Sequence, residues 1–160
     1  MGKLGVLGVV VAALTLLGVM FSGTNPAGAS GARTLRFFEH DTQQASIDLG
    51  DKGTSPGDEF IFAGDLFDHA GGTKLGRLGG YCTTVSGDAN SAGELMCSAS
   101  FVLARGQIMT QGLFDAATLF GGQTLTAPIV GGSGIYRHIR GDGTVQLPNQ
   151  TDANFVLHLN

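Results

Sequence analysis

The sequence predicts an all-β fold, a single eight-stranded antiparallel β-barrel, and three observations carry that reading. Charged residues make up only 14% of a chain that holds 27 glycines, the low charge density and turn capacity of a β-rich globule. Short apolar runs alternate with turn signals, and no segment keeps a helical period with caps. Closing such strands into a barrel removes the apolar edges that an open sheet would expose. A length of 160 residues suits one domain.

The first thirty residues differ from the rest. Met1-Gly2-Lys3 is a short positive start, residues 4–20 carry no charge, and a polar stretch ends in Ala27-Gly28-Ala29. That order is expected of a secretory signal peptide over residues 1–29, with residues 30–160 as the barrel domain. Cleavage after Ala29 is expected, with Ala32 as the alternative. The competing reading is an uncleaved membrane anchor, for which the apolar run is near the lower length limit. The expected location is secreted or cell envelope.

Strands are then expected at 34–40, 59–67, 75–85, 94–104, 107–115, 123–130, 135–147 and 153–159, with Gly-, Asp- and Pro-rich breaks between them. Residues 114–120 have room for one helical turn. Eight strands is the barrel size whose interior is either filled by side chains or holds one small ligand.

Cys82 and Cys97 flank a polar loop over 86–93, so a hairpin centred on that loop sets them opposite each other. An even count in an exported chain favours a disulfide, and closing this loop contributes about 3 kcal/mol. Two reduced, packed thiols are the alternative. The four histidines form neither H-x-H nor H-E-x-x-H, so no metal site is expected. Nine scattered Lys and Arg residues and a net charge of −4 argue against nucleic acid as a partner. Absence of Trp counts against a lipocalin-like barrel. There is no G-x-S-x-G, and Gly131-Gly132-Ser133-Gly134 lacks the spacing and following helix of a nucleotide loop. Its glycines instead suit a turn between strands.

Two segments carry a family resemblance. Leu35-Arg36-Phe37-Phe38-Glu39-His40-Asp41 resembles the opening strand of dirigent proteins, an aromatic run ending in His-Asp. The stretch from Pro128 through Gly131-Gly132-Ser133-Gly134 to Tyr136-Arg137 and Arg140-Gly141 resembles their apolar strand, Gly-rich turn, aromatic-Arg pair and Arg-Gly. The resemblance covers residues 34–147 and is to the dirigent and allene oxide cyclase-like barrels, of calycin type. Departures are Tyr136 for the usual Phe, Ile139 for the usual Ala, and Asp142-Gly143 for an aromatic-Ala continuation. It implies an eight-stranded barrel, often a trimer, that binds a hydrophobic intermediate and steers coupling or ring closure with no cofactor. Some bacterial barrels of similar shape catalyse cycloadditions.

The resemblance carries Asp41 and Arg137 over as catalytic candidates. Asp41, placed in a cavity, would have a raised pKa suited to a general acid, and Arg137 would orient or neutralise an anionic intermediate. The competing readings are a turn-capping Asp beside Thr42 and a rim ion pair for Arg137. Tyr81 and Tyr136, the only tyrosines, and the strand aromatics Phe38 and Phe62 are the candidate substrate-binding residues. The expected function is an exported barrel binding an apolar small molecule, a cofactor-independent cyclase, isomerase-like or dirigent-like protein. The alternatives are a non-catalytic carrier of a hydrophobic ligand and a structural envelope protein with a filled barrel. A homo-oligomer, trimer or dimer, is expected from the resemblance alone.

Overall fold

The computed structural model describes residues 32–88 and 90–160; the expected signal peptide and its cleavage site after Ala29 lie outside the described residues. Eight antiparallel strands close into a barrel in simple sequence order: β1 (Arg33–Ile47), β2 (Glu59–Phe67), β3 (Lys74–Asp88), β4 (Ser91–Leu103), β5 (Gly106–Asp115), β6 (Leu125–Gly132), β7 (Gly141–Gln146) and β8 (Asp152–Leu159). β1 pairs with both β2 and β8, which closes the wall. One helical turn, α1 (Ala116–Phe120), separates β5 from β6 and falls within the expected 114–120. Asp115 caps it, accepting from the Thr118 backbone N–H at 2.7 Å, one of the donors that a helix start leaves unpaired.

Inward-facing side chains fill one end of the barrel and leave the other end open. Phe37, Leu66, Leu78, Phe101, Ile108 and Leu157 form one buried cluster. Phe101 is fully buried, edge-on to Phe155 at 5.0 Å and tilted against Phe37 at 5.8 Å. A second cluster gathers Leu95, Phe114, Leu119 and Ala127 around Cys82 and Cys97. Those cysteines are direct cross-strand partners on β3 and β4 and form a disulfide. Replacing both by Ser is expected to lower stability by about 3 kcal/mol, read as a fall in denaturation midpoint against wild type under non-reducing conditions. An unchanged midpoint would mean that the β3–β4 hairpin needs no cross-link.

The seventh strand differs from expectation. Residues 135–140 are not strand: Gly134–Tyr136 is a single 3-10 turn, and β7 starts only at Gly141. Two features explain the difference. Gly134 has φ +61°, and a Cβ there would collide with the Arg105 carbonyl of the β4–β5 turn. Tyr136, 7% exposed, then turns into the core and closes the filled end. Apolar residues at 135, 136 and 139 read like strand alternation, but they follow a chain that folds across the barrel end.

Candidate functional site

A cavity of about 600 Å³ occupies the other half of the barrel. Its lining includes the exposed residues Gln44, Phe120, Gly121 and Pro148, which place its mouth at the end where β1 finishes, α1 sits and β7 turns into β8. β5 and β6 pair at only three positions, so α1 rather than strand pairing flanks the upper wall there. The alternative of a filled barrel therefore does not describe this half. Six phenylalanines, at 60, 62, 101, 114, 120 and 155, are among the apolar lining residues. Phe60 stacks at 5.9 Å on Phe62 and meets Phe120 edge-on at 6.0 Å. The disulfide sulfurs belong to residues of the same wall.

One strand brings the polar groups. In β1, period-2 alternation turns Leu35, Phe37, Glu39 and Asp41 to one face, and the register with β2 shifts between Asp41 and Gln43. A bulge of this kind inserts one residue and resets the alternation, so Gln44 lines the cavity along with Asp41. The Gln44 amide donates one hydrogen to Asp41 Oδ2 and another to the Gln150 carbonyl, at 2.6 Å for the latter. Asp41 is held from its backbone too, donating to the Thr151 carbonyl at 2.8 Å. Its other carboxylate oxygen, Oδ1, is buried and has no hydrogen-bond partner outside the Glu39–Asp41 pair.

Glu39 lies one step deeper, where the apolar plug meets the cavity. It is 2% exposed, and its Oε1 also has no partner outside the pair. Its carboxyl rests against Gly64 of β2, where any Cβ would overlap it. Burial, followed by the charge of the neighbouring Asp41 and a hydrogen bond to it, pushes the Glu39 pKa up to about 9. Near neutral pH the wall thus carries a protonated carboxylic acid, Glu39, next to the Asp41 side chain. Asp152, another lining residue, is bonded to His40 at 2.7 Å and to Asn149 at 2.8 Å. These hydrogen bonds hold its carboxyl below the usual range.

Of the residues singled out from the sequence, Asp41 and Phe62 line this cavity, as do Cys82 and Cys97. The others do not come to it. Arg137 is exposed and follows the 3-10 turn at the filled end, opposite the mouth. Tyr136 is spent in the core of that end. Tyr81 is 48% exposed on the outer wall, cross-strand from Ile61. Phe38 points outward because its neighbour Phe37 points in. Glu39 was not among the candidates, although its parity with Leu35 and Phe37 marks it as an acid on an apolar face. No group of three or more His, Cys, Asp or Glu residues is placed to hold a metal ion among the described residues.

The sequence profile of the allene oxide cyclase barrel-like domain matches residues 36–156. The chain belongs to the allene oxide cyclase barrel-like family. Among solved structures, this barrel is similar to a pyocyanin demethylase, 27% identical with a TM-score of 0.68 over 80% of this chain and 100% of that one. It is similar in fold to the exo-specific intermolecular Diels-Alderase AbnU, at 19% identity and TM-score 0.63 over 80% of this chain and 98% of that one. The pterocarpan synthase dirigent protein PsPTS1 shares the fold at 16% identity and TM-score 0.61, over 81% and 94% of the two chains. No curated protein matches the sequence. Membership in the barrel family agrees with the resemblance carried by the His-Asp strand and the Gly-rich turn, even though the arginine of that turn lies away from the cavity.

Proposed function

We propose that this family member binds a hydrophobic small molecule in the barrel and catalyses a cofactor-independent proton-transfer reaction on it, of the kind that serves ring closure or isomerisation. The single observation that carries the reading is the Glu39–Asp41 pair. On the wall of a largely apolar cavity the protonated Glu39 carboxyl stands beside that of Asp41, each with an oxygen that has no partner outside the pair. Buried polar atoms without partners are uncommon in proteins, and a pair aimed at a pocket marks a site. Glu39 is the proton donor and Asp41 the acceptor; the apolar walls hold a flexible ligand in one conformation and exclude water. Similarity to a pyocyanin demethylase supports chemistry on a small molecule within this barrel. Arg137 has no part in the reading.

We further propose export, supported by the leader-like residues 1–29 and by a disulfide of the kind that persists in oxidising compartments.

Native mass spectrometry of the protein purified from its own host is the test of the ligand reading, and the same spectrum dates the N-terminus. A bound mass matching a hydrophobic metabolite, lost on denaturation, is the expected result, together with a chain starting at Ser30. That metabolite then becomes the substrate for activity assays, where Glu39→Gln is expected to cut turnover by about a hundredfold while the ligand still binds. Bare protein that takes nothing up from the host's own extract would overturn the reading; full turnover by Glu39→Gln would leave a carrier.

A further inference from the structure

The cavity wall has a charge preference as well as a shape. Glu39, Asp41 and Asp152 are on the lining, and among the described residues no Lys, Arg or His is. His40, the imidazole nearest to these acids, reaches Asp152 from an exposed position and is not a lining residue. Some of the polar donors on the lining are also taken, while the Ser46, Thr110 and Thr144 hydroxyls stay available. Both amide hydrogens of Gln44 are committed, one to Asp41 and one to Gln150, and the Asn149 amide donates to Asp152. Helix α1 presents no free N-terminus, because Asp115 occupies it.

An anionic head group entering this barrel would leave water for a site with three carboxyl groups, no cation and only hydroxyl and amide donors to offer it. A positive one would meet the buried Oδ1 of Asp41 together with the rings of Phe60, Phe62 and Phe114, aromatic groups of the kind that attract cations. From this arrangement we infer that the barrel selects a flat aromatic ligand carrying a positive charge or none, such as an N-alkylated or protonated heteroaromatic, and rejects carboxylates and phosphates of the same size. The inference rests on the proposed ligand-binding reading of the cavity and adds the chemical class of what enters.

The test uses three probes that share one three-ring frame and differ in charge: N-methylacridinium, neutral acridine at pH 8, and acridine-9-carboxylate. Binding to the full barrel is followed by probe fluorescence. The expected order is cation tightest, neutral next and anion weakest, with the cation favoured over the anion on the order of a hundredfold. Raising salt should compress that ratio little, since the pair would be buried. Asp41→Asn should reduce the ratio at least tenfold. Anion binding as tight as that of the neutral probe overturns the inference and leaves the ligand-barrel reading standing. No binding by any of the three overturns the inference together with the reading for aromatic ligands. A cation preference that persists in Asp41→Asn would also overturn it, by removing Asp41 as its source.

Discussion

Replacing Glu39 with Gln should make the protein more stable, and the gain should grow with pH. In the unfolded chain this carboxyl ionises above its ordinary value of 4.5, whereas in the fold burial and the adjacent Asp41 keep it protonated until about 9. The unfolded state therefore binds fewer protons than the native state throughout that window. Stability is complete below 4.5, falls as pH rises towards 9, and levels off above it. Each pH unit in the window costs about 1.4 kcal/mol, so by pH 8 the deficit is about 5 kcal/mol. Gln keeps the shape and cannot ionise, so the deficit disappears. Thermal melts should coincide for the two proteins at pH 4, and at pH 8 the variant should melt about 10 °C higher. The same substitution should abolish proton donation, the trade between stability and activity expected where a site holds a group against its solvation preference. Coincident melts at both pH values would show that Glu39 ionises normally and would remove the acid from the proposed pair.

Much of the architecture was legible in the sequence because turns and alternation are local properties. The eight strands, the helical turn after β5 and the opposition of Cys82 to Cys97 all follow from breaks and spacing within about fifteen residues. What was not legible depends on which of two equivalent choices the closed barrel makes. Phe37 and Phe38 are adjacent aromatics, so alternation sends one in and one out, and only packing against Phe101 decides that Phe37 is the inner one. That decision also sets Glu39 and Asp41 inward and His40 outward, splitting the His-Asp motif between the two faces of the wall. The bulge after Asp41, which brings Gln44 onto the same face, has no signature in Thr42-Gln43. Tyr136 and Arg137 were misplaced for a different reason. Their segment has strand-like residues, but Gly134 turns the chain against the neighbouring β4–β5 hairpin, a contact between residues far apart in the sequence. Whether eight strands enclose a void or a plug is likewise a sum over side-chain volumes from all of them, and here the two halves differ.

Gly64→Ala should damage both the fold and the site. Gly64 is a buried β2 residue paired with Asp41, and its missing side chain is the space in which the Glu39 carboxyl lies. An added methyl would overlap Glu39 Oε1 and stand 2.6 Å from the His40 carbonyl oxygen. The carboxyl is a movable side-chain end, yet moving it means driving a buried acid into the plug or out over Asp41. The carbonyl belongs to the β1 backbone and yields only if the β1–β2 ladder does. Overpacking of a tight interior costs about 1–3 kcal/mol, and disturbing the paired backbone adds about one more, so a loss of about 3–4 kcal/mol is expected. Denaturant midpoints measure it. A double variant separates the two collisions: Glu39→Ala empties the space beside Gly64, and Gly64→Ala in that background meets only the backbone oxygen. The cost of the glycine substitution should then fall by about half, a coupling that places the acid and the glycine in one steric unit. Equal costs in the two backgrounds would mean that the backbone alone requires glycine here, and that the position of the Glu39 carboxyl is set elsewhere.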